Sequence, residues 1–318
     1  MDADSTAPAR GDDDEDGGDW GPFGRPLFDD PSARALSRVG VVDVGSNSVR
    51  MVVFDGAARS PAYFFNEKIM CGLGKGLAQT GLLHPEGKVR ALSALKRFSL
   101  LAKGMNVLPF TVVATAAVRE AADGAEFQAQ VLRETGLKLH VIDGAEEARL
   151  SAQGVLLGWP GASGIVCDIG GNSMELARIG NGRVGKRVST PLGPFRLQQI
   201  EGGPKKRKAH IDAMLTAATR EIRPAGDRIY LVGGSWRVIA RLDMERRSYP
   251  LTVLHEYRMT PEGLLDTLDW LATADLAALR GRTGTSAERM ELVPLACEVL
   301  REIIRLLKPS EIDVSSYG

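Results

Sequence analysis

The 318-residue sequence predicts an α/β protein built as two halves around a central cleft, and three observations carry that prediction. The first is a repeated stretch: Asp43-Val44-Gly45-Ser46-Asn47-Ser48-Val49-Arg50 and, later, Asp168-Ile169-Gly170-Gly171-Asn172-Ser173-Met174-Glu175. Each copy is entered from a short apolar run (39–42; 165–167) and left by another (51–54; 176–179). That is the pattern of strand, tight turn and strand, with an Asp at the exit of the first strand. The second observation is that further apolar runs, alternating with segments of helical spacing, follow each copy. The third is the Gly- and Pro-bearing break at 157–163, which divides the chain into 39–157 and 158–318.

In order along the chain, residues 1–38 form an acidic, Gly/Pro-rich leader containing Asp12-Asp13-Asp14-Glu15-Asp16. It has too few apolar residues to offset the cost of ordering and reads as a disordered tail. Strands are expected at 39–42, 51–54 and 62–70. Gly72-Leu73-Gly74-Lys75-Gly76 reads as a flexible link, since it lacks P-loop spacing. A helix follows over 85–103, with Val89, Leu92, Leu95 and Leu101 at roughly helical spacing and Pro85 at its start. Residues 110–114 read as a buried strand, and the next helix has Phe127, Val131 and Leu132 as its apolar face. A strand over 139–142 exits into Asp143-Gly144, a turn that starts a helix.

In the second half, Gly180-Asn181-Gly182 signals a hairpin returning to 184–189. Lys205-Lys206-Arg207-Lys208 reads as a solvated loop ahead of a helix from Ala209, the alternative being a patch that steers a polyanion. A strand over 229–232 ends in a third glycine-rich turn, Gly233-Gly234-Ser235, and enters a helix. Residues 261–307 read as mostly helical and 312–315 as a last strand.

The chemistry concentrates at the strand exits. Gly45, Gly170 and Gly171 are expected to supply positive φ and to let a ligand approach the backbone. Successive N–H groups in such turns form anion-binding concavities, to which Ser48 and Ser173 add hydroxyls. An Asp beside such a turn can carry a metal ion that neutralises phosphate charge. Arg119, after the strand 110–114, either suits bidentate phosphate contact or is a surface Arg paired with Glu120 or Glu126. Glu146 and Glu147 fall in the first turn of a helix. There they either complement the helix dipole or supply a base for an attacking water.

Other classes are excluded or unsupported. Lys plus Arg and Asp plus Glu both number 40, so no net field draws the chain to nucleic acid or membrane. Cys71, Cys167 and Cys297 are far apart, and His84, His140, His210 and His255 lack metal-ligand spacing. No segment approaches a membrane span, and the composition suits the cytoplasm.

Taken together, the two turns, the segment 114–121 (Ala-Thr-Ala-Ala-Val-Arg-Glu-Ala), the segment 144–150 (Gly-Ala-Glu-Glu-Ala-Arg-Leu) and Val232-Gly233-Gly234-Ser235 resemble the exopolyphosphatase/guanosine pentaphosphate phosphatase family. That family lies within the actin-like ATPase superfamily. The resemblance implies two RNase H-like domains around the cleft and hydrolysis of the terminal phosphoanhydride of inorganic polyphosphate. Guanosine pentaphosphate (pppGpp) hydrolysis and a non-catalytic alarmone or polyphosphate sensor (pppGpp/ppGpp) are the alternatives. It implies Glu147 as general base, Arg119 as substrate arginine, and Asp43, Asp168 and Glu175 as the acids that hold Mg2+ or Mn2+. Gly45, Ser46, Asn47, Ser48, Gly170, Gly171, Asn172 and Ser173 become the phosphate-binding turns. Asn172 stands where the family usually has a third glycine, with Asn47 at the matching place in the first turn, and is expected to preserve the turn because Asn tolerates left-handed backbone. The helical C-terminal domain of longer relatives is expected to be absent. A homodimer is compatible with the sequence but not required by it.

Overall fold

The computed structural model describes residues 38–55, 63–222 and 228–317. Residues 1–37 of the acidic leader and the first residue expected of the third strand, Ala62, lie outside the described residues, whereas Arg38, the last residue assigned to the leader, opens the first strand. The first half runs β1 (Arg38–Val44), β2 (Ser48–Asp55), β3 (Tyr63–Met70), α1 (Leu77–Thr80), α2 (Pro85–Gly104), β4 (Phe110–Ala114), α3 (Ala116–Glu120), α4 (Gly124–Thr135), β5 (Leu139–Val141) and α5 (Gly144–Gly158). The second runs β6 (Gly164–Ile169), β7 (Met174–Gly180), β8 (Arg183–Thr190), α6 (Pro194–Leu197), α7 (Gly203–Ile222), β9 (Arg228–Gly233) and α8 (Gly234–Arg246). It ends with β10 (Arg258–Met259), α9 (Pro261–Leu271), α10 (Leu276–Thr283), α11 (Ala287–Met290), α12 (Val293–Leu307) and β11 (Glu311–Val314).

The two sheets repeat one topology. The first has the order β3-β2-β1-β4-β5 and the second β10-β11-β9-β6-β7-β8. In each, three antiparallel strands precede strands added in parallel beside the first: β4 and β5 in the first sheet, β9 and β11 in the second. This is the RNase H-like arrangement expected for both halves. It places the exits of β1, β4, β6 and β9 at the sheet edge where open α/β sheets keep their ligands.

Burial explains the strands. β6 is almost wholly enclosed, with Ile165, Val166, Cys167 and Ile169 at most 2% exposed. Such a continuous apolar run is what a central strand covered on both faces requires. Trp236 of α8 is fully buried against it and donates its indole N–H to the Cys167 carbonyl at 3.2 Å. Cys167 is thus the small buried hydrophobe that its sequence context suggests.

Three details differ from the sequence reading. Val89 and Leu132 face solvent at 66% and 52% exposure, because helical spacing locates a stripe better than its margins. The basic run is not a loop: it lies in the first turns of α7, where Arg207 pairs with Glu298 and Lys208 with Glu302, both at 2.6 Å. Finally, α5 precedes the break at 157–163 yet packs on the second sheet. Its Ala148, Ala152 and Val155 form one core with Val166, Ala177, Ile179, Tyr230 and Val232.

Candidate active site

The two repeated turns fold alike. Gly45 N–H donates to the Ser48 carbonyl and Gly170 N–H to the Ser173 carbonyl, both at 3.0 Å. Asp43 lies opposite Arg50 across β1 and β2, and Asp168 lies opposite Glu175 across β6 and β7. In the first sheet the row extends to Lys68, opposite Arg50 on β3.

The turns do not use the positive φ expected of Gly45, Gly170 and Gly171; none of the three has it. Asn47 and Asn172 likewise stay out of left-handed backbone. Close approach is the reason for glycine at 171, where a Cβ would sit 2.9 Å from the Ser46 Cβ of the opposite turn. The two turns are therefore in contact across the halves. Positive φ appears instead at the third turn, where Gly233 has φ 109° and opens α8 toward the cleft. The stretch 72–76 proves to be a brace for the first turn. Gly74 N–H donates to the Ser46 carbonyl at 2.8 Å, and the Cys71 and Gly72 N–H groups share the Asn47 carbonyl at 2.9 and 3.0 Å.

Between the halves lies a cavity of about 200 Å³ lined by Asp43, Gly45, Ser46, Asn47, Ser48, Glu147, Asp168, Gly170, Gly171 and Ser173. Most of the sequence-predicted site is thereby gathered in one place. Four cationic side chains that sequence reasoning did not assign share its wall: Arg50, Lys68, Arg237 and Arg289. Burial, followed by the charges of Arg289 and Arg237, lowers the Lys68 ammonium to about 8. Burial also lowers Arg237. Cations crowded against cations in this way favour an anionic occupant.

Glu147 reaches the cavity because of how α5 begins. Asp143 caps the helix, its Oδ1 accepting the Glu146 N–H at 2.7 Å. Glu146 is held by Arg149 at 2.5 Å. Glu147, one residue on, points into the cavity and receives Arg119 Nη1 at 3.2 Å. Burial raises its carboxyl to about 7; Arg119 opposes that shift, and the negative charges of Asp168 and Asp43 add to it. A carboxylate that takes up a proton near neutrality is matched to general-base work.

Three predicted site residues do not line the cavity. Arg119 stands behind Glu147 and anchors itself on the Ile142 carbonyl at 2.9 Å. Asn172 is 1% exposed, and its carboxamide has no hydrogen-bond partner among the described residues. It faces the first half, so close to Gly74 that a Cβ there would lie 2.7 Å from Asn172 Oδ1. Glu175 is 1% exposed and accepts the Ser189 hydroxyl at 2.8 Å. Burial, reinforced by Glu147 and Asp168, raises its carboxyl well above the usual range. Asp43, Asp168 and Glu175 accordingly do not converge as a three-acid cage. Among the described residues no three His, Cys, Asp or Glu side chains do.

Burial also raises Asp43 to about 6, with Lys68 opposing and Asp168 adding to the shift. A carboxyl raised in the folded state binds more protons there than in the unfolded chain, so its destabilising contribution grows as pH rises from about 4 through about 6. Asp43 nevertheless opens onto the cavity, and water there screens much of the cost. Asp43→Asn is expected to stabilise the protein by no more than about 1 kcal/mol above pH 6 and by nothing below pH 4. Urea unfolding at the two pH values measures this, and equal effects at both would contradict it.

The sequence profile described as the Ppx/GppA phosphatase family matches residues 52–318. Exopolyphosphatase 1 of Mycobacterium leprae is 26% identical over 294 residues, covering 88% of this chain and 86% of that protein. Exopolyphosphatase 2 of Mycobacterium tuberculosis is 34% identical over 176 residues, covering 52% of this chain and 55% of that protein. Among solved structures, an exopolyphosphatase from Cytophaga hutchinsonii superposes with a TM-score of 0.79 at 22% identity, covering 89% of this chain and 95% of its own. The Ppx/GppA family member from Aquifex aeolicus superposes with a TM-score of 0.72 at 23% identity, covering 89% and 94%. With its repeated turns facing one another across a cationic cavity and most of its length matched by one family, the chain belongs to the Ppx/GppA phosphatase family.

Proposed function

We propose that the protein is an exopolyphosphatase that hydrolyses the terminal phosphoanhydride of inorganic polyphosphate. The observation that carries this reading is the Glu147 carboxyl, raised to about 7, in one cavity with the two repeated turns and four cations. In this mechanism the terminal phosphate lies between the N–H groups and hydroxyls of the two turns. Glu147 takes a proton from a water that attacks the terminal phosphorus in line with the departing chain. Arg119, anchored on the Ile142 carbonyl, holds the Glu147 carboxylate in place from behind. Arg50, Lys68, Arg237 and Arg289 hold the polyanionic remainder of the chain, which leaves as the shortened polymer. Phosphoryl transfer asks mainly for positioning and charge neutralisation, which these groups supply.

Asp43 and Asp168 fit a Mg2+ or Mn2+ ion. Both carboxylates open onto the cavity, and the Asp168 charge acts on Asp43. Two acids without a third suit a cation that completes its shell with water and substrate oxygens, as Mg2+ does. Bound there, the ion would supply charge neutralisation at the phosphate oxygens. Glu175, which does not line the cavity, is not included in this proposal.

The test is phosphate release with Mg2+ from long-chain polyphosphate, short-chain polyphosphate and guanosine pentaphosphate. Polyphosphate is expected to be turned over with the highest kcat/KM, and chelation of the metal to abolish release. Release from guanosine pentaphosphate alone would move the assignment to the alarmone. Tight binding with no release from any of them would make the cleft a sensor.

A further inference from the structure

We infer that Arg196 is a positioning residue that reserves Arg119 for Glu147 by occupying Glu120 from across the cleft; this rests on the reading of Glu147 as the base. Arg119 and Glu120 are neighbours at the end of α3 and carry opposite charges. Each reaches a partner outside the first half's core. Arg119 pairs with Glu147, on the helix that packs on the second sheet, at 3.2 Å. Glu120 pairs with Arg196 Nη2, on α6. The other Glu120 oxygen stands 3.9 Å from Arg119 Nη2, just beyond hydrogen-bond reach.

Two carboxylates thus compete for one guanidinium. With Arg196 in place, the Glu120 charge is satisfied from the second half, and the Arg119 charge remains available to Glu147. Without it, Arg119 is the remaining ion-pair partner of Glu120 among the described residues, and Glu120 closes on it. That would turn the guanidinium from the base. The pair between Glu120 and Arg196 is partly exposed, so its contribution to stability is small; its leverage is orientation. Arg196 is also tied to the second turn. The preceding residue, Phe195, donates its N–H to the Gly171 carbonyl at 2.8 Å. The setting of the second phosphate turn is therefore passed through Arg196 and Glu120 to the pair of Arg119 and Glu147.

The test combines kinetics with structure on four chains: wild type, Arg196→Ala, Glu120→Gln and the double variant. Arg196→Ala is expected to lower kcat about tenfold with a smaller change in KM, since a misdirected catalytic group acts on the chemical step. Glu120→Gln removes the competitor and should stay within about twofold of wild type. The double variant should recover most of the loss, because the harm in the single variant comes from the freed Glu120 charge. Arg196→Lys, which keeps the charge, should lie between wild type and Arg196→Ala. A double variant no better than Arg196→Ala, or an unchanged kcat in Arg196→Ala, would overturn the inference. A crystal structure of Arg196→Ala decides independently of turnover: Arg119 should move onto Glu120 and away from Glu147. Arg119 retained on Glu147 at its present distance would overturn it. Absence of phosphate release by the wild type would instead count against the proposed function, leaving the structural arm to judge the clamp.

Discussion

Glu147→Gln should lower kcat by about 10²–10⁴-fold while leaving polyphosphate affinity within a few-fold of wild type. The substitution keeps the shape of the side chain and leaves an acceptor for Arg119, but the amide cannot take a proton from water. In the proposed mechanism affinity resides elsewhere, in the two turns and in Arg50, Lys68, Arg237 and Arg289, which line the same cavity. Removing a negative charge from a site that receives a polyanion should, if anything, tighten binding. The sign of the stability effect follows from the same shift. A carboxyl raised to about 7 by burial is costly to keep ionised above that pH, so the variant should be no less stable than wild type at pH 8. Loss of activity together with loss of folding would point to a structural role instead. Calorimetry of polyphosphate binding beside a phosphate-release assay separates the two.

Gly193→Ala should destabilise the protein by about 1–3 kcal/mol and remove most of its turnover. The backbone at Gly193 has φ −67°, which any residue can adopt, so conformational freedom is not the issue. Space is. A Cβ there would lie 2.3 Å from the Asn172 carbonyl carbon and 2.4 Å from the Gly171 oxygen. These are main-chain atoms of the second phosphate turn and cannot swing aside as a side chain can. The turn also rests on this segment through Gly193 N–H to the Asn172 carbonyl and Phe195 N–H to the Gly171 carbonyl, at 3.3 and 2.8 Å. Pushing it away would carry Gly171 off its contact with Ser46 and open the two turns relative to each other. Urea unfolding measures the first effect and phosphate release the second. Wild-type values in both would mean that the turn has slack the structure does not show.

Local patterns made much of this legible in the sequence. The two turns and the helix start at Asp143, which sets Glu147 in the first turn of α5, are each encoded within about ten consecutive residues, where spacing and turn chemistry act directly. Both sheets could be expected because their strands are short apolar runs punctuated by glycine. What sequence reasoning missed depends on long-range register and on which face a side chain takes. Lys68 joins the cavity because β3 pairs with β2 to set it opposite Arg50. Arg289 comes from α11, far along the chain, and no local pattern marks it. The opposite error occurred at Glu175. Its position matches that of Arg50 in the repeat, yet α5 packs over β7 and β8, beside Ser189, and leaves Glu175 buried there. The repeat is faithful in backbone but not in surroundings, because the helix after β5 packs on β7 and β8 of the second sheet. Asn172 was read as a turn residue tolerant of left-handed backbone. It is instead a buried carboxamide between the halves, a role that only the contact with Gly74 reveals.

The central claim is that Glu147 activates the attacking water, and the pH dependence of kcat/KM for polyphosphate tests it most directly. A base must be deprotonated to act, so activity should rise with pH along a limb at or below about 7. A cation beside Asp168 would move that limb toward lower pH by favouring the charged carboxylate. In Glu147→Gln the residual rate should lose the limb altogether. A limb of unchanged position in the variant would show that another group supplies the base.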